Sequence, residues 1–218
     1  MVQPLPPVPF ENKLLAFRAL RQGLRHAHHN WRMWQNYMII SIDVGELSES
    51  ARAMTRVIEE MPSTANHMLA IDVDVLDKLV DSVTREDWNG GIPKITTSNE
   101  GFGLLPIVDR LFNTVILPRV SDSPRIWRVH ARLLRWKEDW SGAMEDYLRA
   151  YRCGLAQDPG IERDAVKWRD AVEEIDELVT VLSALGPKVV RGEGEKKGDW
   201  RFQARGIVRT FMGRTRQS

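Results

Sequence analysis

Apolar residues recur at helical spacing along most of the chain. From Glu11 to about His28 the residues Leu14, Leu15, Phe17, Leu20 and Leu24 fall on one helical stripe. Asn30 is placed to cap a second helix running from Trp31 to about Val44, Gly45 supplies a turn, and a partner helix runs from about Leu47 to Met61, before Pro62. From Ser63 the pattern loosens. Leu69, Ile71, Val73, Val75, Leu76, Leu79, Val80 and Val83 predict a helix over about 72–86, with the β-branched run 71–75 as its least helical part. A glycine-rich loop over 87–103 precedes a helix from Leu104 to Leu117. A hairpin then spans roughly Pro124 to Leu155, Pro159 and Gly160 break it, and a long two-sided helix covers Ile161 to Leu185. Residues 188–199 read as a charged linker and Trp200 to Met212 as a last amphipathic helix.

Within this pattern one spacing occurs twice. Trp34, Tyr37, Met38, Ser41, Gly45, Ser50, Met54, Val57 and Pro62 follow the offsets of a tetratricopeptide repeat. There an aromatic opens the first helix, small residues stand where the two helices meet, and a proline follows the second. Trp127, Ala131, Leu134, Trp140, Ala143, Tyr147 and Ala150 repeat those offsets, with alanine at three of the contact positions. Ala16 and Leu20 stand 34 residues before Ser50 and Met54, so the first helix reads as the second half of a repeat whose first half is missing or only vestigial in the proline-rich tail. The segments 64–118 read as a degenerate repeat with a stretched turn. The expected fold class is all-α: a tetratricopeptide-type solenoid over 11–186, sealed by the long helix, between a proline-rich tail at 1–10 and a basic linker and tail helix at 187–218.

Composition narrows function by exclusion. Eight tryptophans are many for 218 residues, and five of them (Trp31, Trp34, Trp127, Trp136, Trp140) lie in the two clear repeats, where large flat rings fill the gaps between stacked hairpins. Net charge is +1, so no global field recruits a polyanion. A lone Cys153 leaves no intramolecular disulfide and suits a reducing compartment, and no run of about 18 apolar residues crosses a bilayer. The expectation is a cytoplasmic protein, with the nucleus open.

Candidate chemistry is thin. His26, His28 and His29 cluster without further ligands at zinc spacing. Asp72, Asp74 and Asp77 lack the glycine and terminal glutamate of a calcium loop, and Asn89-Gly90-Gly91 lacks the lysine of a phosphate loop. Arg152 beside Cys153 is positioned to lower its thiol pKa, but no base accompanies it. Neither a cofactor nor an enzymatic activity is expected.

Two basic features point instead to binding. Arg125, Arg128, Arg132 and Arg135 share one face of the first helix of the second clear repeat, the helix that lines the concave surface of such stacks. Guanidinium groups there suit the carboxylates of an acidic peptide, against the alternative of a solvated face paired with Glu138, Asp139 or the long helix. The segment 188–218 carries +6 and the remainder −5, with Arg201, Arg205 and Arg209 on one stripe and Arg214 and Arg216 beyond. This tail suits the acidic long helix of its own chain, with RNA phosphate or an anionic membrane surface as the alternatives.

The chain resembles the carboxy-terminal part of the eukaryotic tetratricopeptide repeat protein 27 family. The likeness rests on Asn30-Trp31-Arg32-Met33-Trp34-Gln35-Asn36-Tyr37, on Ser41-Ile42-Asp43-Val44-Gly45-Glu46-Leu47-Ser48-Glu49, on Ile126-Trp127-Arg128, and on the basic end from Arg209 to Arg216. It covers nearly everything after residue 10. The resemblance implies a non-enzymatic intracellular adaptor, linked in fungi to cell-wall maintenance and in animals to chaperone-assisted maturation of a spliceosomal GTPase. Repeats that grip acidic chaperone tails carry a lysine and an asparagine where this chain has Gln35 and Ile39, so that clamp is not expected here. Family members are much longer, and a proline-rich start followed by half a repeat reads as a truncated product or a fragment.

Overall fold

A computed structural model of the chain describes residues 8–62, 71–85, 103–120 and 122–185. The regular elements among them are all helical: α1 (Phe10–Leu24), α2 (Trp31–Asp43), α3 (Leu47–Glu60), α4 (Val73–Thr84), α5 (Leu104–Arg110), α6 (Pro124–Trp136), α7 (Trp140–Gln157) and α8 (Ala165–Leu185). They form two compact units, one ending at Ser121 and one starting at Asp122.

The first unit is built around the hairpin of α2 and α3. Asn30 accepts the Met33 amide at 3.2 Å and so caps α2. At the other end Gly45, at φ 83°, lets Glu46 N–H reach the Ser41 carbonyl at 2.8 Å, closing the helix with a left-handed turn. The seam between α2 and α3 is tight: Met38, Ala51, Ala53, Met54 and Val57 are fully buried, and Ser50 Oγ donates to the Met38 carbonyl at 3.0 Å. The helix α1 packs against α2, with Phe17 stacked on Tyr37 at 5.2 Å between ring centres. It stops at Leu24, short of the expected His28; the histidines lie in the turn that follows.

Asp72 caps α4 by accepting the amides of Asp74 and Val75, so the Asp72–Asp77 cluster is in part a helix start. The helix begins at Val73, so Val73 and the buried Val75 of the β-branched run are helical, while Ile71, also buried, precedes the helix. The expected helix from Leu104 to Leu117 is in two parts, α5 and a wider π-helical stretch, Leu111–Ile116, whose Leu111, Phe112 and Ile116 are fully buried. The expected loop at 87–103, its Asn89-Gly90-Gly91 included, lies outside the described residues except for Gly103.

The second unit comprises α6, α7 and α8. Ser123 caps α6 and Pro124 occupies its first position, where no amide partner is needed. The core joins Ala131 of α6, Ala143, Met144, Tyr147, Leu148 and Tyr151 of α7, and Trp168, Val172, Ile175 and Leu178 of α8. The apolar stripe of α8 faces α7 while Asp170, Glu173, Asp176 and Glu177 face solvent, the two-sided character expected of it. It begins at Ala165 and not at Ile161. Asp164 accepts the amides of Val166 and Lys167 and starts a new helix there, leaving Ile161–Arg163 as a single 3-10 turn.

Candidate functional site

The strip Arg125, Arg128, Arg132 and Arg135 lies on α6, with Arg125 exposed and the other three half-buried. Arg128 Nε stands 3.1 Å from Glu174 Oε2 and Arg135 Nη1 donates to Glu177 Oε2 at 3.0 Å. The strip therefore already holds two carboxylates, presented three residues apart on one face of α8. These are carboxylates of the long helix; the other partners considered, Glu138 and Asp139, lie in the α6–α7 turn, where Asp139 caps α7.

Burial governs the electrostatics. It pushes the Glu174 carboxyl above the usual glutamate value; Arg128 and then Arg132 oppose that shift, while Glu177 and Glu173 add to it. Tyr147 of α7 faces the same cluster, and burial first, then Glu174, raises its phenol against the pull of Arg135 and Arg132. The hydrogen bond that Arg135 donates to Glu177 raises its guanidinium above the usual value. The arrangement is a row of cations beside a buried phenol, occupied by two anions of its own chain. It suits recognition of a paired acid motif and offers no nucleophile with a base.

A second polar feature escaped the reading of the sequence. His130 of α6 and Asp146 of α7, each 5% exposed, meet in the helix seam with Nδ1 and Oδ2 2.5 Å apart. Arg149 stands 3.8 Å from the other oxygen of Asp146 and 4.8 Å from the centre of the Trp127 ring. The available signal was positional: 93 residues earlier, the equivalent sites hold Tyr37 and Ala53 of the apolar seam.

The remaining candidates resolve into structural roles. His29 Nδ1 meets Glu60 at 2.9 Å, and this contact holds the Glu60 carboxyl below the usual range; the His28 and His29 rings lie 3.8 Å apart. No group of three potential metal ligands occurs among the described residues. The Cys153 thiol is raised, contrary to the expected influence of Arg152: burial dominates, Asp122 adds to it, and the opposing cation is Arg149. Of the aromatic and small repeat residues, Tyr37, Ser50, Trp127, Ala131, Ala143, Tyr147 and Ala150 are buried, Trp34 and Trp140 are half-buried, Gly45 is in the turn and Pro62 is exposed beyond α3. Arg201, Arg205, Arg209, Arg214 and Arg216 of the basic tail lie outside the described residues. No described helix is long and apolar enough to cross a membrane.

Comparison with known proteins bears on the fold class. Over 91% of its length the chain is 32% identical to a TPR repeat-containing protein of Schizosaccharomyces pombe, of which it covers 23%. It is 24% identical, also over 91% of its length, to Essential for maintenance of the cell wall protein 1 of Saccharomyces cerevisiae, covering 22% of that protein. A stretch of 72 residues is 28% identical to a tetratricopeptide repeat-containing protein of Caenorhabditis elegans. The chain thus spans less than a quarter of the length of the two fungal relatives. No family model and no solved structure matches it. Helical hairpins with repeat-spaced seams, together with relatives named for this repeat, make the fold class all-α and tetratricopeptide-type.

Proposed function

On the premise that this chain resembles the tetratricopeptide repeat protein 27 family, its fungal members included, over nine-tenths of its length, we propose that it is a non-catalytic scaffold that captures an acidic segment of a protein partner. The observation that carries this reading is the pairing of Arg128 with Glu174 and of Arg135 with Glu177. A strip that accepts two carboxylates from α8 has the reach and spacing to accept a similar pair from a partner, bidentate contacts to guanidinium providing the selectivity. Arg125 and Arg132 extend the strip on the same face and complete the proposed contact set. The partner competes with α8, so affinity stays modest unless it brings more than two acids.

For the finer role the names of the relatives offer support. The name of the yeast protein ties that protein to cell-wall maintenance, and we extend this to the present chain as the process its binding serves, with the cytoplasm as its place of action. Assembly of partner complexes alongside chaperones is the second part of the proposal, without the chaperone-tail clamp that Gln35 and Ile39 replace.

Fluorescein-labelled hexaglutamate, titrated into the full chain, tests the site. Binding should weaken with salt, and Arg128→Glu with Arg132→Glu should reduce it by about tenfold or more, each charge-assisted contact being worth ~1.5–3 kcal/mol. Glu177→Gln should strengthen it by removing a competitor. Unchanged affinity and salt dependence in the double arginine variant would exclude the strip as the site.

A further inference from the structure

The net charge of +1 conceals a local excess of cations. From Phe10 to Arg32 five cationic side chains, Lys13, Arg18, Arg21, Arg25 and Arg32, stand against the single carboxylate of Glu11. Lys13 is neutralised by Asp43 at 2.8 Å, but among the described residues no carboxylate pairs with Arg18, Arg25 or Arg32. Arg18, Arg21 and Arg25 follow the i, i+3, i+7 spacing of one helix flank, and all three are exposed. Shifted by 34 residues, their places on α3 are held by Arg52, Thr55 and Glu59, of which Arg52 and Glu59 are exposed and Thr55 half-buried. This flank thus stays open on a helix packed beneath α2, and its exposure on α1 does not depend on what packs before α1. The helix α3, however, neutralises its own arginines, Arg52 with Glu49 at 3.0 Å and Arg56 with Glu59 at 3.4 Å. On α1 the places of Glu49 and Glu59 are taken by Leu15 and Arg25.

We propose that this flank binds a single strand of nucleic acid, its phosphates on Arg18, Arg21 and Arg25 and one base on the guanidinium plane of Arg32. The spacing suits the backbone. Residues on one helix flank stand about 5–6 Å apart, of the order of successive phosphates in an extended strand, and a guanidinium fork takes two phosphate oxygens at once. The turn after α1 carries the stripe to the start of α2. There the exposed Arg32 lies 5.3 Å over the half-buried Trp31 ring, so the indole backs a planar cation on which a base stacks. No acid stands in the first turn of α2, which leaves the positive end of its dipole to the same anion. Other anionic partners suit the flank less well. Between Arg18 and His26 every exposed side chain is arginine, alanine, glutamine or histidine, whereas a protein partner is held by buried aromatic and apolar anchors and a bilayer surface takes up large apolar side chains. The site is separate from the arginine strip of α6 and goes beyond the capture of an acidic protein segment.

The test titrates the full chain into fluorescein-labelled decauridylate, and into the thymidine decamer of DNA, at about 50–200 mM salt. Arg18→Gln with Arg25→Gln, which spares the Arg21 that acts on the Tyr37 phenol, should weaken binding about tenfold at the lowest salt. The slope of log affinity against log salt should flatten by about 1–1.5, the share of two phosphate contacts on a single strand, with the helical circular-dichroism signal retained. Arg32→Lys keeps the charge and removes the plane, and should weaken binding several-fold at a nearly unchanged slope. A strand carrying 5-iodouridine should photo-cross-link to a peptide containing residues 26–32. Arg128→Glu with Arg132→Glu should leave that cross-link in place, which keeps the fate of this site separate from that of the arginine strip. Tighter binding of the uridylate names RNA as the source of the strand, and equal binding names the shared phosphodiester backbone. Unchanged affinity and slope in the Arg18 and Arg25 variant, or cross-links confined to other segments, overturns the proposal. So does decaglutamate or a phosphatidylserine vesicle that binds as tightly as decauridylate with the same dependence on Arg18 and Arg25, because an acidic polypeptide or a lipid surface would then be the occupant.

Discussion

The hairpins α2–α3 and α6–α7 share one spacing and one turn, yet they close their seams by different chemistry. In the first, Tyr37 stacks on Phe17 and sends its hydroxyl to Glu49 at 3.0 Å, while Ala53 sits in an apolar seam with no exposed surface. In the second, His130 and Asp146 replace Tyr37 and Ala53 and put a hydrogen-bonded polar pair at the same depth. Repeat geometry thus demands filled volume at these sites, not a particular residue type. The two seams should fail differently when cut. Asp146→Ala leaves His130 buried beside a cavity and should cost about 3–5 kcal/mol, whereas Asp146→Ala combined with His130→Leu should recover most of it, since an apolar replacement of both partners is close to neutral. Urea unfolding followed by tryptophan emission, taken through a double-mutant cycle, measures the difference. Equal losses in the single and double variants would show that the pair contributes only volume.

The turns offer a finer contrast. Gly45 at φ 83° and Glu138 at φ 63° occupy the same place, and each lets the next residue's amide bond back five residues, Glu46 to Ser41 at 2.8 Å and Asp139 to Leu134 at 3.0 Å. One hairpin uses the residue suited to the left-handed region and the other bears a side chain there, at a strain of about 1–2 kcal/mol. Gly45→Ala should therefore destabilise the first unit by about 1 kcal/mol, the strain being partly offset by the lower entropy of the unfolded alanine chain. Glu138→Gly should stabilise the second unit by less than about 1 kcal/mol, for the same two reasons with signs reversed. Opposite shifts of the urea midpoint at unchanged slope are the expected signature. Shifts of the same sign would mean that the turns are not equivalent.

These contrasts mark what was legible in the sequence. Trp34 to Pro62 predicted α2, α3 and their turn within a residue or two, because capping by Asn30, the glycine turn and the apolar spacing are all local. The over-long α1 and α8 were read from periodicity alone, which does not register that Asp164 turns its side chain to two following amides and begins a helix there. Glu138 gives no local signal, as its conformation is imposed by hairpin closure. The arginine strip was legible as a face, but its ion pairs join residues 46 and 42 positions apart, Arg128 with Glu174 and Arg135 with Glu177, and only the packing of α8 on α7 brings them together.

The smallest effect separates the ion pairs on α8. Burial holds the Glu174 carboxyl above the usual glutamate value, more strongly than Arg128 and Arg132 pull it down. In the window from the ordinary glutamate value up to its raised folded value, the folded chain binds more of this proton than the unfolded chain does, so stability falls as pH rises and the charged form is a net cost at pH 7. The pair with Arg128 only reduces that cost. Glu174→Gln should consequently leave stability at pH 7 unchanged or slightly raised, and should abolish the gain that the parent chain shows as pH is lowered from 7 towards the ordinary glutamate value. Glu60 and Asp158, whose carboxyls are held below their usual ranges, act in the opposite sense and further down, where acid protonates them, so the upper window belongs to Glu174. Arg128→Ala should cost up to about 1 kcal/mol as a half-exposed pair, and its cost should shrink over the same interval as its partner loses charge. Chemical denaturation at pH 5, 6 and 7, compared as differences between parent and variant so that other titrating groups cancel, provides the check. A Glu174→Gln variant that loses stability at pH 7 would make Arg128–Glu174 a stabilising lock, and a partner competing for the strip would then have to overcome it in addition to Arg135–Glu177.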